Sequence, residues 1–333
     1  MSLLPPLEFN SSTSASRRWV MPAHRFRTVQ QRHFLLCVAS PTLIAIVGLF
    51  FLPEEAFSAM AFGLWAGMWT LVGGFGISVG FHRHFSHRGF CCSTWLRYVL
   101  AGLGSMACQG PLVYWCAIHR RHHSLADQPG DLHSPAPAAH GTTSKVRAFV
   151  QGHVGWAWKH DVPMPTRYAG DLLGDPVPVS SSRYYWGFVA MGYIAPALVG
   201  WMHWGGAQGL MYGMFWGGAF RVAVGHQIIW SINSICHAHG SRPASTGDQS
   251  ANVWWLSLLS FGESWHNNHH AAATSARFGR GRQLDLGWYL IKLLGAIDRN
   301  LAIRLMPVQP TCVALVEAEH GDRLQDRGPP NNG

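Results

Sequence analysis

The chain has 333 residues, 48% of them hydrophobic and only 12% charged, with a net charge of +9. A soluble domain carries about 25% charged residues, so this composition excludes a surface that faces only water. The basic excess reads first as the positive-inside bias of membrane loops and second as a face toward anionic lipid or a phosphate-bearing ligand; no nucleic-acid partner is expected.

Residues 1–33 are polar and basic, carrying Arg17, Arg18, Arg25, Arg27 and Arg32, and show no signal-peptide pattern. They are expected in the cytosol. Residues 34–52 form the first predicted span, because about 20 apolar residues cross a bilayer. The turn Pro53-Glu54-Glu55 carries no Lys or Arg, which suits the outer side, and residues 57–80 form a second span that returns to the cytosol.

Residues 94–117 are also apolar, but a full crossing would separate the histidine clusters on either side of them. Arg97 and Pro111 favour a segment that lies in the interface or dips in and returns. Residues 124–183 read as polar and cytosolic, with short helices around Val146–Trp158. Spans at 184–203 and 209–230 follow, joined by the uncharged hinge Trp204–Gln208. Arg221, inside the last span, is expected to snorkel to the headgroups or to sit on a protruding helix end. Residues 252–263 are too short to span, 284–306 read as an amphipathic surface segment, and 307–333 as a disordered tail.

The expected fold is thus an all-α integral membrane protein. Four transmembrane helices and a cytosolic helical cap (81–183 and 231–306) make up a membrane domain of 34–306, with both termini cytosolic. The seven cysteines, odd in number and without a CxxC pair, read as buried thiols of a reducing compartment. No repeat, dinucleotide fingerprint or Walker motif occurs.

Three clusters carry the chemistry: His82-Arg-His84-Phe-Ser-His87, His119-Arg-Arg-His122-His123 and His266-Asn-Asn-His269-His270. They place 9 of 20 histidines in 16 residues, all on the predicted cytosolic side. Neutral imidazole is the commonest protein metal ligand. On a helix, i, i+3 and i+4 share a face, so each HxxHH trio is expected to point into one site. His82 and His87, five apart, diverge on a regular helix; they suit two separate metals or a helix that ends between them. The ligand number exceeds the four of a closed zinc site and implies two metals, with iron, copper, zinc or nickel compatible with imidazole. His84 faces elsewhere and is not expected to ligate.

The HxxxxH, HxxHH, HxxHH series, with Gly130-Asp131-Leu-His133-Ser-Pro and Gly262-Glu-Ser-Trp-His-Asn-Asn-His-His-Ala271 around it, resembles the integral-membrane fatty acid desaturases of the acyl-CoA or acyl-lipid Δ9 type over about residues 34–306. The resemblance implies a diiron centre held by His82, His87, His119, His122, His123, His266, His269 and His270. A ninth ligand, His237, comes from Trp230-Ser-Ile-Asn233-Ser-Ile-Cys-His237. Asn233 would hold a metal-bound water, and Trp115 and Trp230 would line the acyl channel. The implied activity is O2-dependent insertion of a cis double bond, with a ferredoxin-, flavoprotein- or cytochrome b5-type protein as separate electron donor, since no His-Pro-Gly-Gly motif occurs. A bacterial inner-membrane enzyme is expected. Ser264 stands where the family commonly has Gly, and Ala271-Ala-Ala replaces a frequent Phe-Pro. Asp127, Asp131 and His133 either orient ligand histidines or form a polar loop; His153 also matches the family text, with its role open. Arg277, Arg280 and Arg282 either meet a phosphate group or form a solvated loop. The rival readings are a hydroxylase on the same scaffold and a metal transporter, which would place its ligands at the bilayer midplane.

Overall fold

The computed structural model describes residues 19–305; the basic residues 1–18 and the expected tail at 307–333 lie outside the described residues. The chain is mostly helical. Helix α1 is Arg27–Phe51 and α2 is Ala59–Ser86, and among the described residues these two are long and apolar enough to cross a membrane. The outer face of α1 is a stripe of exposed apolar side chains, with Phe50 and Phe51 about four-fifths exposed (79% and 81%). Such a face is stable against lipid and costly in water.

Residues 94–117 do not form one long helix. They break at Met106–Pro111 into α3 (Thr94–Ser105) and α4, which begins at Leu112 (Leu112–Leu125). At about 1.5 Å per residue neither crosses a 30 Å core. Short helices follow at α5 (Lys145–His153) and α6 (Pro176–Arg183). Helix α7 (Tyr185–Trp204) and α8 (residues 206–234) then form an antiparallel hairpin. It closes on glycine: a Cβ at Gly213 would overlap the Pro196 carbonyl, and one at Gly200 the Gly209 carbonyl. Small residues permit this backbone approach. Gly213→Val should therefore force the hairpin apart and lower the unfolding midpoint by an amount equivalent to about 1–3 kcal/mol or more, whereas the same change at Gly63, which has open space around it, should lower it far less.

Helix α9 (His266–Ala271), which carries the third histidine cluster, and α10 (Leu286–Ile297) follow. The all-α expectation needs one small amendment. Two antiparallel staples, Val20–Met21 with Val162–Pro163 and Phe90–Cys91 with Ala302–Ile303, tie the ends of the described chain to the cap. The core joins α2, α3, α4 and α10 through Val72, Phe81, Leu100, Leu112 and Ile291, all nearly inaccessible.

Arg221 does not snorkel. It is buried and donates to the carbonyls of Gly217 (2.7 Å), Met106 (3.1 Å) and Gly192 (3.3 Å). The break in the chain between α3 and α4 leaves the Met106 carbonyl free to accept this bond, so the guanidinium is satisfied without reaching water.

Candidate metal centre

The first cluster lies on the last turns of α2, which wind as a wide π helix over Thr70–Ser86. In such winding the bonds run i to i+5, and His87 N–H donates to the His82 carbonyl at 3.1 Å. The wider turn brings residues five apart nearer to one face than on an α helix. The helix ends at Ser86 with His87 as its C-cap, which is the expected helix end between the two histidines, and the rings of His82 and His87 lie 4.9 Å apart.

The nine expected ligands converge as two groups. His82, His87, His119, His123 and His269 form one; His122, His237, His266 and His270 form the other. Within each group the candidate ligand atoms lie within 4.8 Å of one another. The HxxHH trios do not each point into one site, as their spacing had suggested. On α4, His119 and His123 (i, i+4) join the first group and His122 the second; on α9, His266 and His270 join the second and His269 the first. At about 100° per residue, i and i+4 are 40° apart but i+3 and i+4 are 100° apart, so adjacent histidines look into neighbouring sites. His237, just beyond α8, completes the second group.

Ring nitrogens face one another at distances that ask for a cation between them. His87 Nε2 lies 2.7 Å from His119 Nε2, His269 Nε2 3.0 Å from that of His123, and His266 Nε2 3.1 Å from that of His237. The Nε2 atoms of His122 and His270 are buried without a hydrogen-bond partner. A buried orphan of this kind costs about 1–3 kcal/mol, and two metal ions would satisfy all of them. The donor set fits: all imidazole, enclosed, and backed by carboxylates.

Those carboxylates fix the ring orientations. Nδ1 of His122 bonds Asp131 (2.9 Å), that of His237 bonds Asp127 (2.9 Å), that of His270 bonds Asp248 (2.7 Å), and that of His82 bonds Glu263. Each leaves Nε2 aimed at the centre. Asp127 and Asp131 thus bond candidate ligands rather than only shaping a polar loop, while Asp248 and Glu263 were missed by the reading of the boxes. Glu263 also accepts from Ser78 (2.5 Å) and from the wholly buried Arg83 (3.1 Å), which is shared with Asp285 at 2.9 Å. Of the remaining histidines, His84 bonds the Phe90 carbonyl (2.9 Å), His133 sits against Trp156, and His153 ties α5 to Ser234 and Gln227 on α8.

Burial pushes the pKa of His119, His123, His266 and His269 well below 6.5, which keeps them neutral for ligation. Burial also lowers His270, to about 4, against the pull of Asp248. His122 differs: burial opposes its charge, but Asp131, together with Asp127 and Asp248, outweighs burial and raises it. In metal-free protein the depressed groups fix the sign of the pH response in acid. The unfolded His270 binds its proton near pH 6.5 and the folded one only near 4, so acid favours unfolding. The unfolding midpoint of metal-free protein should fall between pH 6.5 and 4 as the depressed histidines are forced to protonate, and should also decline above pH 6.5 as His122, whose pKa is raised, gives up its proton; a midpoint that held or rose between 6.5 and 4 would contradict this electrostatic account.

A narrow, largely apolar cavity reaches this pocket. Its apolar lining includes Trp69, Gly73, Ile77, Ile228, Ile232 and Phe261, and Ser78, Trp115, Asn233, Glu263, His82, His119 and His266 line it as well. Trp115 stacks on His119 (5.2 Å) and donates to Gln109 (3.1 Å). Trp230 is not in the lining. It is stacked on His226 and packed against Trp156.

The fatty acid desaturase family profile matches residues 56–285. The chain is 41% identical to a hex-5-enoyl-[acyl-carrier protein] acetylenase of Moorena producens (strain JHB), over 79% of this chain and 83% of that protein. It is 36% identical to an sn-1 stearoyl-lipid 9-desaturase of Anabaena variabilis over 77% and 88% of the two chains, and 37% identical to Delta-9 acyl-lipid desaturase 1 of Arabidopsis thaliana over 70% and 72%. The matched stretch contains every residue of the two histidine groups, and the likeness extends over most of each relative: the chain belongs to the fatty acid desaturase family, oxidoreductases that act on fatty acyl chains.

Proposed function

We propose that the protein is an O2-dependent Δ9-type desaturase that places a cis double bond in a saturated acyl chain carried on CoA or membrane lipid. One observation carries the reading: a single apolar cavity runs up to His82 and His119 of one histidine group and His266 of the other. A methylene chain in that cavity lies beside both.

His82, His87, His119, His123 and His269 would hold one iron, and His122, His237, His266 and His270 the second. The irons, when bound and reduced, supply the activation of O2. The balance is CH2–CH2 + O2 + 2 electrons + 2 protons → CH=CH + 2 H2O, so two electrons enter per double bond from a separate donor protein of ferredoxin, flavoprotein or cytochrome b5 type. The chain's own residues do the rest. Ile77, Ile228, Ile232 and Phe261 exclude water from the cavity and hold the chain in register. Trp115, fixed by Gln109, walls the cavity next to His119. Asn233 faces the same space and is the residue we assign to hold a metal-bound water. The carboxylates of Asp127, Asp131, Asp248 and Glu263 keep the Nδ1 protons in place.

The topology we propose has four spans, α1, α2, α7 and α8, with the histidine pocket and both termini cytosolic in a bacterial inner membrane. The exposed Met191, Ile194, Leu198, Trp201 and Met202 of α7 and Met211 and Met214 of α8 support lipid contact for the second pair.

A second reading has its own support. The acetylenase relative acts, by its name, on a hex-5-enoyl chain on acyl-carrier protein, and the same site could remove two hydrogens from an existing double bond. Expression in a host without its own desaturase, followed by mass spectrometry of its acyl chains, decides. Saturated chains lacking two hydrogens support the desaturase; loss only from unsaturated chains supports the acetylenase; gain of one oxygen makes it a hydroxylase; no change in any acyl pool, with a donor supplied, removes all three.

A further inference from the structure

The desaturase reading requires electrons to cross from another protein to the buried histidines, and the loop 275–283 has the features of a place for that crossing. Arg277, Arg280 and Arg282 are exposed within six residues of one another. No Asp or Glu occurs from Ser264 to Leu284. Asp285, next in the chain, is buried and pairs with Arg83. Among the described residues no carboxylate pairs with the three arginines; the one polar contact of their guanidinium groups is Arg277 to the Gly281 carbonyl of the same loop, 3.0 Å. The loop therefore presents three uncompensated positive charges on a short rigid stretch.

Its rigidity comes from the ligand helix itself. Asn268, between His266 and His269, donates to the Phe278 carbonyl (2.9 Å) and to Gln283 Oε1 (2.8 Å). Asp285 accepts from the N–H groups of Phe278 (2.7 Å) and Gly279 (3.1 Å). Phe278 thereby points inward. Its ring lies 4.3 Å from that of His269 and 5.4 Å from that of His82, both in the first histidine group. A single aromatic ring separates the arginine face from two ligand positions.

We propose that this loop is the docking face for a small acidic one-electron carrier protein, and that Phe278 is the closest approach from that face to the histidine cluster. Charge decides the kind of partner, since a patch of one sign speeds association with its opposite by about 10 to 1,000-fold and does so in a salt-dependent way. Position decides against the acyl carrier as occupant: no residue of the loop lines the acyl cavity, so a carrier seated here gains no access to it.

The test uses the full iron-loaded chain in neutral phosphatidylcholine nanodiscs and plant-type [2Fe–2S] ferredoxin as the acidic probe. Binding of oxidised ferredoxin is titrated at low and high salt. Turnover is driven in parallel by reduced ferredoxin and by dithionite with a small viologen mediator. The variant Arg277→Gln/Arg280→Gln/Arg282→Gln should bind ferredoxin about tenfold more weakly at low salt, lose most of the salt dependence and slow ferredoxin-driven turnover to match, with viologen-driven turnover and iron content unchanged. Phe278→Leu should slow electron delivery with ferredoxin binding intact, and Phe278→Trp should restore it. Unchanged ferredoxin binding in the triple variant overturns the proposal. So does a variant that loses affinity for acyl-carrier protein or anionic vesicles while its ferredoxin binding stands. Viologen-driven wild type that leaves every acyl substrate intact would count against the desaturase reading alone, because the binding titration stands without it.

Discussion

Replacing His122 with alanine should halve the bound iron and lower turnover by about a thousandfold or more, while the protein still folds. The second histidine group has only four members, and removing one leaves fewer imidazoles than a stable closed site uses. Losing a partner that merely orients a ligand already costs about 10 to 100-fold, so losing the ligand itself costs more. The fold should survive because His122 packs among other histidines rather than in the core of α2, α3, α4 and α10. The control is His84→Ala. His84 is equally buried and lies on the ligand-bearing helix, yet it is bonded to the Phe90 carbonyl and belongs to neither group. It should retain full iron. Equal iron loss in both variants would dissolve the distinction between ligand and bystander on which the site rests.

Glu263→Gln should damage both activity and stability. The carboxylate orients His82, accepts from Ser78 and compensates Arg83, whose guanidinium is wholly buried. Its amide cannot do all three. Metal affinity or activity should fall about 10 to 100-fold, and breaking one of the two ion pairs of a buried arginine should approach the roughly 3–5 kcal/mol typical of such losses. Asp248→Asn provides the contrast. Asp248 bonds His270 and its own loop residues Thr246 and Ser250 and compensates no arginine. It should weaken the metal site by a similar factor with a much smaller shift in the unfolding midpoint. Equal shifts in the two variants would argue that Arg83 is held by Asp285 alone.

The histidine boxes were legible because a ligand set needs several imidazoles at helical spacing, a pattern that chance seldom repeats three times. Their partition was legible in principle: adjacent His122 and His123 differ by about 100° around α4 and cannot share a point. Sitting beside a box did not suffice to make an orienting carboxylate legible, since Glu263 stands three residues before His266 yet bonds His82 of another box. Asp127 and Asp131 follow the second cluster closely, whereas Asp248 lies in a polar loop 22 residues before its partner His270, and Glu263 reaches back 181 residues to His82. Long-range pairs of this kind leave no local trace. Arg221 misled for a related reason. A charge in an apolar run normally seeks water, and nothing in its neighbourhood announces that the carbonyl of Met106, 115 residues away, is free to receive it. The Trp230 side chain is similar: it shares regular α winding with Asn233 three residues on, but it packs against Trp156 from a distant part of the chain, a contact that leaves no local trace.

The winding of α2 has a consequence for how this helix should be engineered. Ser78 is the fifth residue after Gly73, His82 the fifth after Ile77, and His87 the fifth after His82; the first four of these line the acyl cavity and the fifth is a candidate metal ligand. On ordinary α geometry a step of five turns by about 500°, and the row would scatter around the axis. Here the wider winding keeps Gly73, Ile77, Ser78 and His82 on one side of the helix, so that side carries the wall of the cavity up to the histidine pocket. A library meant to reshape the cavity should therefore vary Trp69, Gly73, Ile77 and Ser78 together, mixing steps of four and five, and leave His82 and His87 untouched.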